Sequence, residues 1–294
     1  MKRSVEKPVK RRRRYLPAVL LAPVLLIAVM LIDSNMRIVT TEYELHYENL
    51  PNPFDGFRIV VLADIHDAEF GRGNERLISR TRDAKPDIIA IVGDLLNAYE
   101  NRCPVEEQFA RVRELIIGLR TIAPIYFVTG NHDQLQRDGG PGTLLELLND
   151  YGVHVLRNEY TYIESDGSFI VLGGIDGKVG SVAQRDAKLF IEEVIASEGD
   201  SFIMLLDHIN QNLTLYSEFG IDLVLSGHAH GGMIRLPFTD GLVGPERDFL
   251  PTFTNGLYSA GNTNMLVSRG LGNPTAWPRF LNNPHIAVAI LKSH

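Results

Sequence analysis

Five short apolar runs, each closed by turn-forming residues, limit what this chain can fold into. They are Ile59-Val60-Val61-Leu62, Ile88-Ile89-Ala90-Ile91-Val92, Ile125-Tyr126-Phe127-Val128, Phe202-Ile203-Met204-Leu205-Leu206 and Leu223-Val224-Leu225. Runs of this length and without alternation predict strands buried on both faces, as in sheets covered by helices. Amphipathic stretches lie between them. Phe109, Val112, Leu115, Ile116 and Leu119 recur every three to four residues and predict a helix over Val105–Arg120, packed on a sheet. Asn74–Ala84, Thr143–Tyr151 and Ala183–Ser197 predict further helices, the first ended by Lys85-Pro86. Tyr160–Ile163 and Phe169–Gly173 predict strands joined at Asp166-Gly167. Residues 37–48 predict an exposed alternating strand, and Gly256–Leu291 a strand-rich close. This interleaving implies an α/β layered fold.

The residues just beyond each run are chemically loaded. Asp64-Ile65-His66, Gly93-Asp94, Gly130-Asn131-His132-Asp133, His208 and Gly227-His228-Ala229-His230-Gly231-Gly232 close the five runs, in that order. Ligands in sheets of this kind gather beyond the carboxyl ends of the strands. Five strand ends therefore bring two Asp, one Asn and several His to one rim, a donor set for metal. Taken singly, Asp64, Asp94 and Asn131 suit turns or helix caps, and His208 a satisfied core histidine. The ordered set does not. Four imidazoles with oxygen donors suit Mn, Fe or Zn better than Ca or Mg. Asp67, Asp133 and Asp176 could partner the ligand imidazoles but read rather as ordinary loop polarity, and His46, His154, His285 and His294 as structural or surface residues.

Charge separates two functions. Residues 1–14 hold eight Lys/Arg against Glu6, so the remaining 280 residues carry −14 within a whole-chain charge of −7. An acidic body argues against nucleic-acid binding, which needs a basic footprint. It leaves room for a phosphorylated small molecule met by bound cations. Cys103 is the only cysteine, which excludes an intrachain disulfide.

The basic head precedes Tyr15 to Ile32, eighteen residues without a charge. As a helix they reach roughly 27 Å, the thickness of a hydrocarbon core. Pro17 falls in the first turn and Pro23 adds a local kink. The Arg cluster orients the segment with the N-terminus in the cytoplasm and the rest of the chain across the membrane. Ile32-Asp33-Ser34-Asn35-Met36 lacks the small-residue site of a cleaved signal peptide, so an uncleaved anchor is expected. The expected organisation is a basic cytoplasmic segment (1–14), a transmembrane anchor (15–32), a linker and edge strand (33–56) and a catalytic domain (57–294). This organisation implies a membrane location with an extracytoplasmic site.

Order and spacing of the five motifs resemble the calcineurin-like metallophosphoesterase family from about Phe57 to Leu291. Ser268-Arg269-Gly270-Leu271-Gly272 and the close of the chain look like its membrane-associated bacterial phosphodiesterase-like subgroup. The resemblance implies a four-layer αββα sandwich of two mixed sheets with two divalent ions at the rim. It implies that Asp64, His66 and His230 hold one ion, that Asn131, His208 and His228 hold the other, and that Asp94 bridges them. His132 would stand over the substrate, as an acid or a stabiliser of the phosphoryl oxygens. The implied reaction is hydrolysis of a phosphodiester or pyrophosphate by a hydroxide between the ions. The substrate would be a small phosphoester or a lipid-linked one. Two departures stand out: Met233 replaces the usual Gln, and Asp207-His208-Ile209-Asn210 replaces Ser-His-x-Pro. Neither removes a ligand. The alternative is a catalytically silent metal-binding scaffold, against which the complete ligand set and His132 both weigh. Specificity is expected from the loops Asn97–Pro104, Gln134–Gly142 and Pro237–Thr254.

Overall fold

All five apolar runs become interior strands, because β-branched side chains on alternate faces meet a packed layer on either side. The computed structural model describes residues 16–97, 104–133, 143–177, 180–236, 239–244, 248–273 and 277–293. In chain order the strands are β1 (Val39–Tyr47), β2 (Arg58–Leu62), β3 (Ile88–Val92), β4 (Ile125–Val128), β5 (His154–Val155) and β6 (Glu159–Ser165). Then come β7 (Ser168–Gly174), β8 (Ile203–Leu206), β9 (Leu223–Ser226), β10 (Gly256–Ala260), β11 (Thr263–Val267) and β12 (His285–Ser293). The helices are α1 (Leu16–Met36), α2 (Glu75–Asp83), α3 (Val105–Leu119), α4 (Leu144–Asp150), α5 (Ser181–Glu198) and α6 (Leu213–Glu218).

The strands form two six-stranded mixed sheets, in the orders β1-β12-β2-β3-β4-β5 and β10-β11-β9-β8-β7-β6. β2, β3 and β4 are mutually parallel in the first sheet, as are β8 and β9 in the second. Their carboxyl ends therefore open on one edge of each sheet.

Three apolar cores define the layering. Val60, Leu62, Ile89, Ile91 and Phe127 face Leu77 of α2, Val112 and Leu115 of α3 and Leu148 of α4. The opposite face of the same strands, Ile59, Val61, Ala90 and Val92, meets Leu172, Met204, Leu206 and Leu225 of the second sheet. Val171, Ile203, Leu205 and Val224 on that sheet's outer face pack on Phe190, Ile191 and Val194 of α5 and Tyr216 of α6. The order is helices, sheet, sheet, helices. Burial of each such aliphatic side chain contributes about 1.5–3 kcal/mol, and β3, β4, β8 and β9 are buried on both faces, so none of them alternates with polar residues.

Several expectations shift in detail. The strand expected at 37–48 is β1, an edge strand that pairs in parallel with β12, so the link into the domain is itself part of the first sheet. His285 is wholly buried at the start of β12, while His46 and His154 are exposed. The six-residue α6 and two-residue β5 had no sequence signal, being too short to repeat a hydrophobic period.

The expected apolar segment 15–32 begins outside the described residues, as do the basic head 1–14, Cys103 and His294. α1 covers the rest of it, with side chains described from Leu21. No helix among the described residues is long and apolar enough to cross a membrane. The loops expected to set specificity lie wholly or partly outside the described residues.

Candidate metal centre

The turns that leave β2, β3 and β9 reverse sharply, and the reversal aims their side chains at one another. Asp64, His66, Asp94, His228 and His230 all have positive φ, at 52°, 49°, 55°, 67° and 49°. Such a backbone costs a residue with a Cβ on the order of 1–3 kcal/mol and persists only where neighbours hold it. Here they do. Asp64 N–H donates to the Gly93 carbonyl at 3.1 Å, and His66 N–H to the Asp94 carbonyl at 2.9 Å, which ties the end of β2 to the end of β3. His228 N–H donates to the Asp64 carboxylate at 3.1 Å, joining the two sheets across the rim.

Seven side chains meet there. Asp64, His66, Asp94 and His230 offer ligand atoms that all lie within 4.8 Å of one another. His66 Nε2 is 3.2 Å from His230 Nε2, and His230 Nε2 is 3.5 Å from Asp64 Oδ1. Beside them, Asn131 Oδ1 lies 3.0 Å from both His208 Nε2 and His228 Nδ1. Asp94 Oδ2 falls between these groups, 3.6 Å from His66 Nε2 and 3.2 Å from His208 Nε2. His132 stands at the half-buried margin, its ring 4.7 Å from that of His66 and edge-on to it.

These spacings fit a cation. With ligand bonds of about 2.0–2.2 Å, donors on one ion sit roughly 3.0–3.6 Å apart. The nitrogen and oxygen separations above fall in that range. Asp94 Oδ2 is enclosed and has no aligned hydrogen-bond donor among the described residues, a state that a cation relieves. His208 Nδ1 lies 2.9 Å from the Val92 carbonyl, so the ring's proton belongs there and Nε2 is presented to the centre.

Electrostatics point the same way. Burial pulls His66 and His228 down to about 3, and His230 well below the ordinary imidazole value, so all three rings are neutral and able to donate a lone pair. Burial pushes Asp64 up to about 7. For His208 burial disfavours charge, but Asp94 and Asp64 beside it outweigh that and raise it to about 10. Asp94 is likewise disfavoured as an anion by burial, yet His208 and His66 hold it well below the usual carboxylate range. The His208–Asp94 pair thus keeps a proton, which a cation held by these residues would displace.

The reading of Asp67, Asp133 and Asp176 as ordinary loop polarity is corrected, since all three are buried. Asp133 accepts the N–H groups of Asp94 (2.8 Å), Gly130 (2.8 Å) and Leu96 (3.1 Å), so it shapes the loop that carries Asp94. Asp176 accepts from the Thr129 hydroxyl and pairs with Arg157 at 3.4 Å, behind the loop that carries Asn131. The Asp67 carbonyl takes a bond from Arg111 at 3.0 Å. A buried carboxylate is not readable from its neighbours in sequence, because burial is set by a different strand.

The glycines of the motifs are explained by space. A Cβ at Gly130 would run into the Asp94 carboxylate, and one at Gly93 would lie 2.5 Å from His208 Nδ1. Ser268–Gly272 lies behind Asp64, where Gly272 N–H donates to the Asp64 carbonyl at 2.7 Å. The departure at 207–210 is structural: Asp207 accepts from the Tyr216 hydroxyl, and Asn210 bonds the Phe253 carbonyl at 2.7 Å. Arg279 had no sequence signal at all. It is 1% exposed, and its guanidinium donates to the carbonyls of Gly272 (2.6 Å) and Arg269 (2.9 Å) beside His230.

Known proteins share this arrangement of sequence. A model of the calcineurin-like phosphoesterases matches residues 57–232. The uncharacterized metallophosphoesterase YkuE of Bacillus subtilis is 30% identical over 268 residues, which cover 87% of this chain and 86% of that protein. A transmembrane protein with metallophosphoesterase domain from Danio rerio is 28% identical, over 85% of this chain and 56% of its own length. The phosphodiesterase YaeI of Escherichia coli is 26% identical over 220 residues, 74% of this chain and 76% of that protein.

Proposed function

This chain belongs to the calcineurin-like phosphoesterase family, and we propose that it is a two-metal phosphodiesterase or pyrophosphatase tethered to a membrane. The observation that carries the reading is the position of Asp94 Oδ2, 3.6 Å from His66 Nε2 on one side and 3.2 Å from His208 Nε2 on the other. A carboxylate set between two donor groups is suited to bridging two ions. Asp64, His66 and His230 would hold the first ion, and Asn131, His208 and His228 the second. The neutral Asn131 oxygen avoids adding negative charge where an anionic phosphoester must bind.

When bound, two divalent ions (Mn, Fe or Zn) neutralise phosphate oxygens and lower the pKa of a held water. The chain's own residues do the rest. Asp64 and Asp94 lose their burial penalty once paired with cations. His208, whose Nε2 already faces the centre, would release its extra proton to solvent and keep Nδ1–H on the Val92 carbonyl. His132 is oriented by its backbone, whose N–H donates to Asp94 Oδ1 at 2.8 Å. That leaves its imidazole at the accessible margin, where it protonates the leaving alkoxide or stabilises the phosphoryl oxygens.

The membrane reading rests on α1. Leu21, Val24, Leu25, Leu26, Val29 and Ile32 all stand exposed, a helix surface that water does not favour. The basic head would keep the N-terminus cytoplasmic and put the domain 57–294, with its link 33–56, outside. A transmembrane-named relative agrees with an anchor. The substrate is then a small or lipid-linked phosphoester. The purified full chain with Mn should hydrolyse an aryl phosphodiester and lose that activity with chelator. Metal-loaded protein inert toward mono-, di- and pyrophosphate esters alike would overturn the assignment.

A further inference from the structure

The last turn of α1 does not stop at the surface of the domain. It is bonded into the segment 279–283 at every second residue. Asn35 pairs with the Arg279 peptide on both sides: its Nδ2 donates to the Arg279 carbonyl at 2.8 Å, and its Oδ1 accepts the Arg279 N–H at 3.0 Å. Ser34 Oγ accepts the Leu281 N–H at 2.8 Å. Asn283 Nδ2 donates to the Asp33 carbonyl at 2.7 Å. Ser34, 1% exposed, is as enclosed as a core residue although it ends a helix whose earlier turns are bare.

The segment so held leads straight to a residue of the metal centre. Arg279 Nη1 lies 3.4 Å from the His230 carbonyl, and Nη2 lies 3.4 Å from His230 Nδ1. Asn282 Nδ2 donates to the same His230 carbonyl at 2.7 Å and to that of Met233 at 3.2 Å. His230 sits on a strained backbone, with φ 49°, so its ring position depends on these outside bonds. Asn35, Met36, Arg279 and His66 also line one cavity of about 470 Å³.

We infer that the last turn of α1, Asp33 to Met36, is a positioning element of the metal centre, acting through Asn35 on Arg279 and through Arg279 and Asn282 on His230. α1 is then more than a tether, and the domain beyond it carries an incomplete scaffold for His230 if cut free of this turn. The inference rests on the metal-centre reading above.

The test uses the full chain in detergent, with Asn35→Ala and, as a milder change, Asn35→Asp. Partners outside a metal's own ligands typically change its affinity by about 10–100-fold. Asn35→Ala should therefore need roughly ten-fold more free Mn for half-loading. Its cobalt-substituted form should show an altered ligand-field absorption, with far-ultraviolet dichroism unchanged. Asn35→Asp, which keeps the acceptor for the Arg279 N–H, should recover part of the loss. Tyr162→Phe removes an exposed bond to Glu198 (2.6 Å) on the second sheet and should leave Mn affinity at the wild-type value. Wild-type Mn affinity and cobalt spectrum in folded Asn35→Ala overturn the inference while leaving the hydrolase reading intact. If Asn35→Ala does not fold, wild-type Mn affinity and cobalt spectrum in Asn35→Asp, which loses the bond to the Arg279 carbonyl, overturn it. An equal loss in Tyr162→Phe overturns it too, by reducing the effect to general stability. A wild-type chain that binds neither Mn nor Co sinks both readings.

Discussion

Asp133 Oδ2 accepts the main-chain N–H of Asp94 at 2.8 Å, so a buried carboxylate with no place among the expected ligands holds the residue set between the two donor groups. The same side chain takes two further N–H groups, from Gly130 and Leu96. Replacing it with Asn points an NH2 group at donors. Asp133→Asn should fold, yet bind metal about 10–100-fold more weakly. Titration of the apoprotein with Mn, followed by elemental analysis, measures this.

Asp94 and His132 should separate metal retention from turnover. Asp94→Asn removes the charge between the two groups, and the purified variant should lose metal and activity together. His132→Ala should keep its full metal content while turnover drops by about 10²–10⁴-fold, the usual contribution of a general acid. Metal content and kcat measured on the same preparations check both. Equal metal loss in the two variants would contradict the division of roles.

Gly130 tests the space beside Asp94. The Cβ of Gly130→Ala would meet both the side chain and the N–H of Asp94, and overpacking costs about 1–3 kcal/mol. Activity should fall sharply because the displaced atoms belong to Asp94. At Gly152 nothing lies within 4 Å of an added Cβ, although φ is +73°. Gly152→Ala should lose about 1–2 kcal/mol from backbone strain and keep its activity. Denaturant melts and kcat/KM for both variants decide it.

The His208–Asp94 pair predicts how stability depends on pH. Burial opposes the His208 charge, but Asp94 and Asp64 raise its pKa to about 10 in the folded, metal-free protein. An ordinary imidazole in the unfolded chain titrates near 6.5. A raised value favours folding fully below pH about 6.5, and this contribution fades as pH climbs toward 10. Asp64 and Asp133, pushed up by burial to about 7, have completed their change near the start of that window. The chelated protein should therefore lose stability between pH 7 and 9, at no more than about 1.4 kcal/mol per pH unit. Saturating Mn should flatten the slope, because metal binding needs the neutral ring. Thermal melts across pH, with and without Mn, measure it. An unchanged slope on adding metal would count against His208 as a ligand.

Much of this architecture was legible in sequence because its signals are local. Uninterrupted apolar runs marked β2, β3, β4, β8 and β9, and the glycine-flanked donors after them marked the rim. α3 and α5 were readable from their spacing. Asp133, Asp176 and Arg279 were not, because each owes its role to a chain segment remote in sequence. A loop aspartate looks the same whether water or three N–H groups surround it. The α1 clamp was equally hidden, since Asp33-Ser34-Asn35 reads as a polar boundary after an apolar helix.

The side chains expected at the rim could be read locally, since strand period and turn residues are encoded within a few neighbouring positions. How those side chains are held could not be read that way: the left-handed turns, the carboxylate behind Asp94 and the bonds from Asn35 toward His230 belong to the folded chain. Burial and hydrogen bonding between distant segments come into being only when the two sheets close on each other.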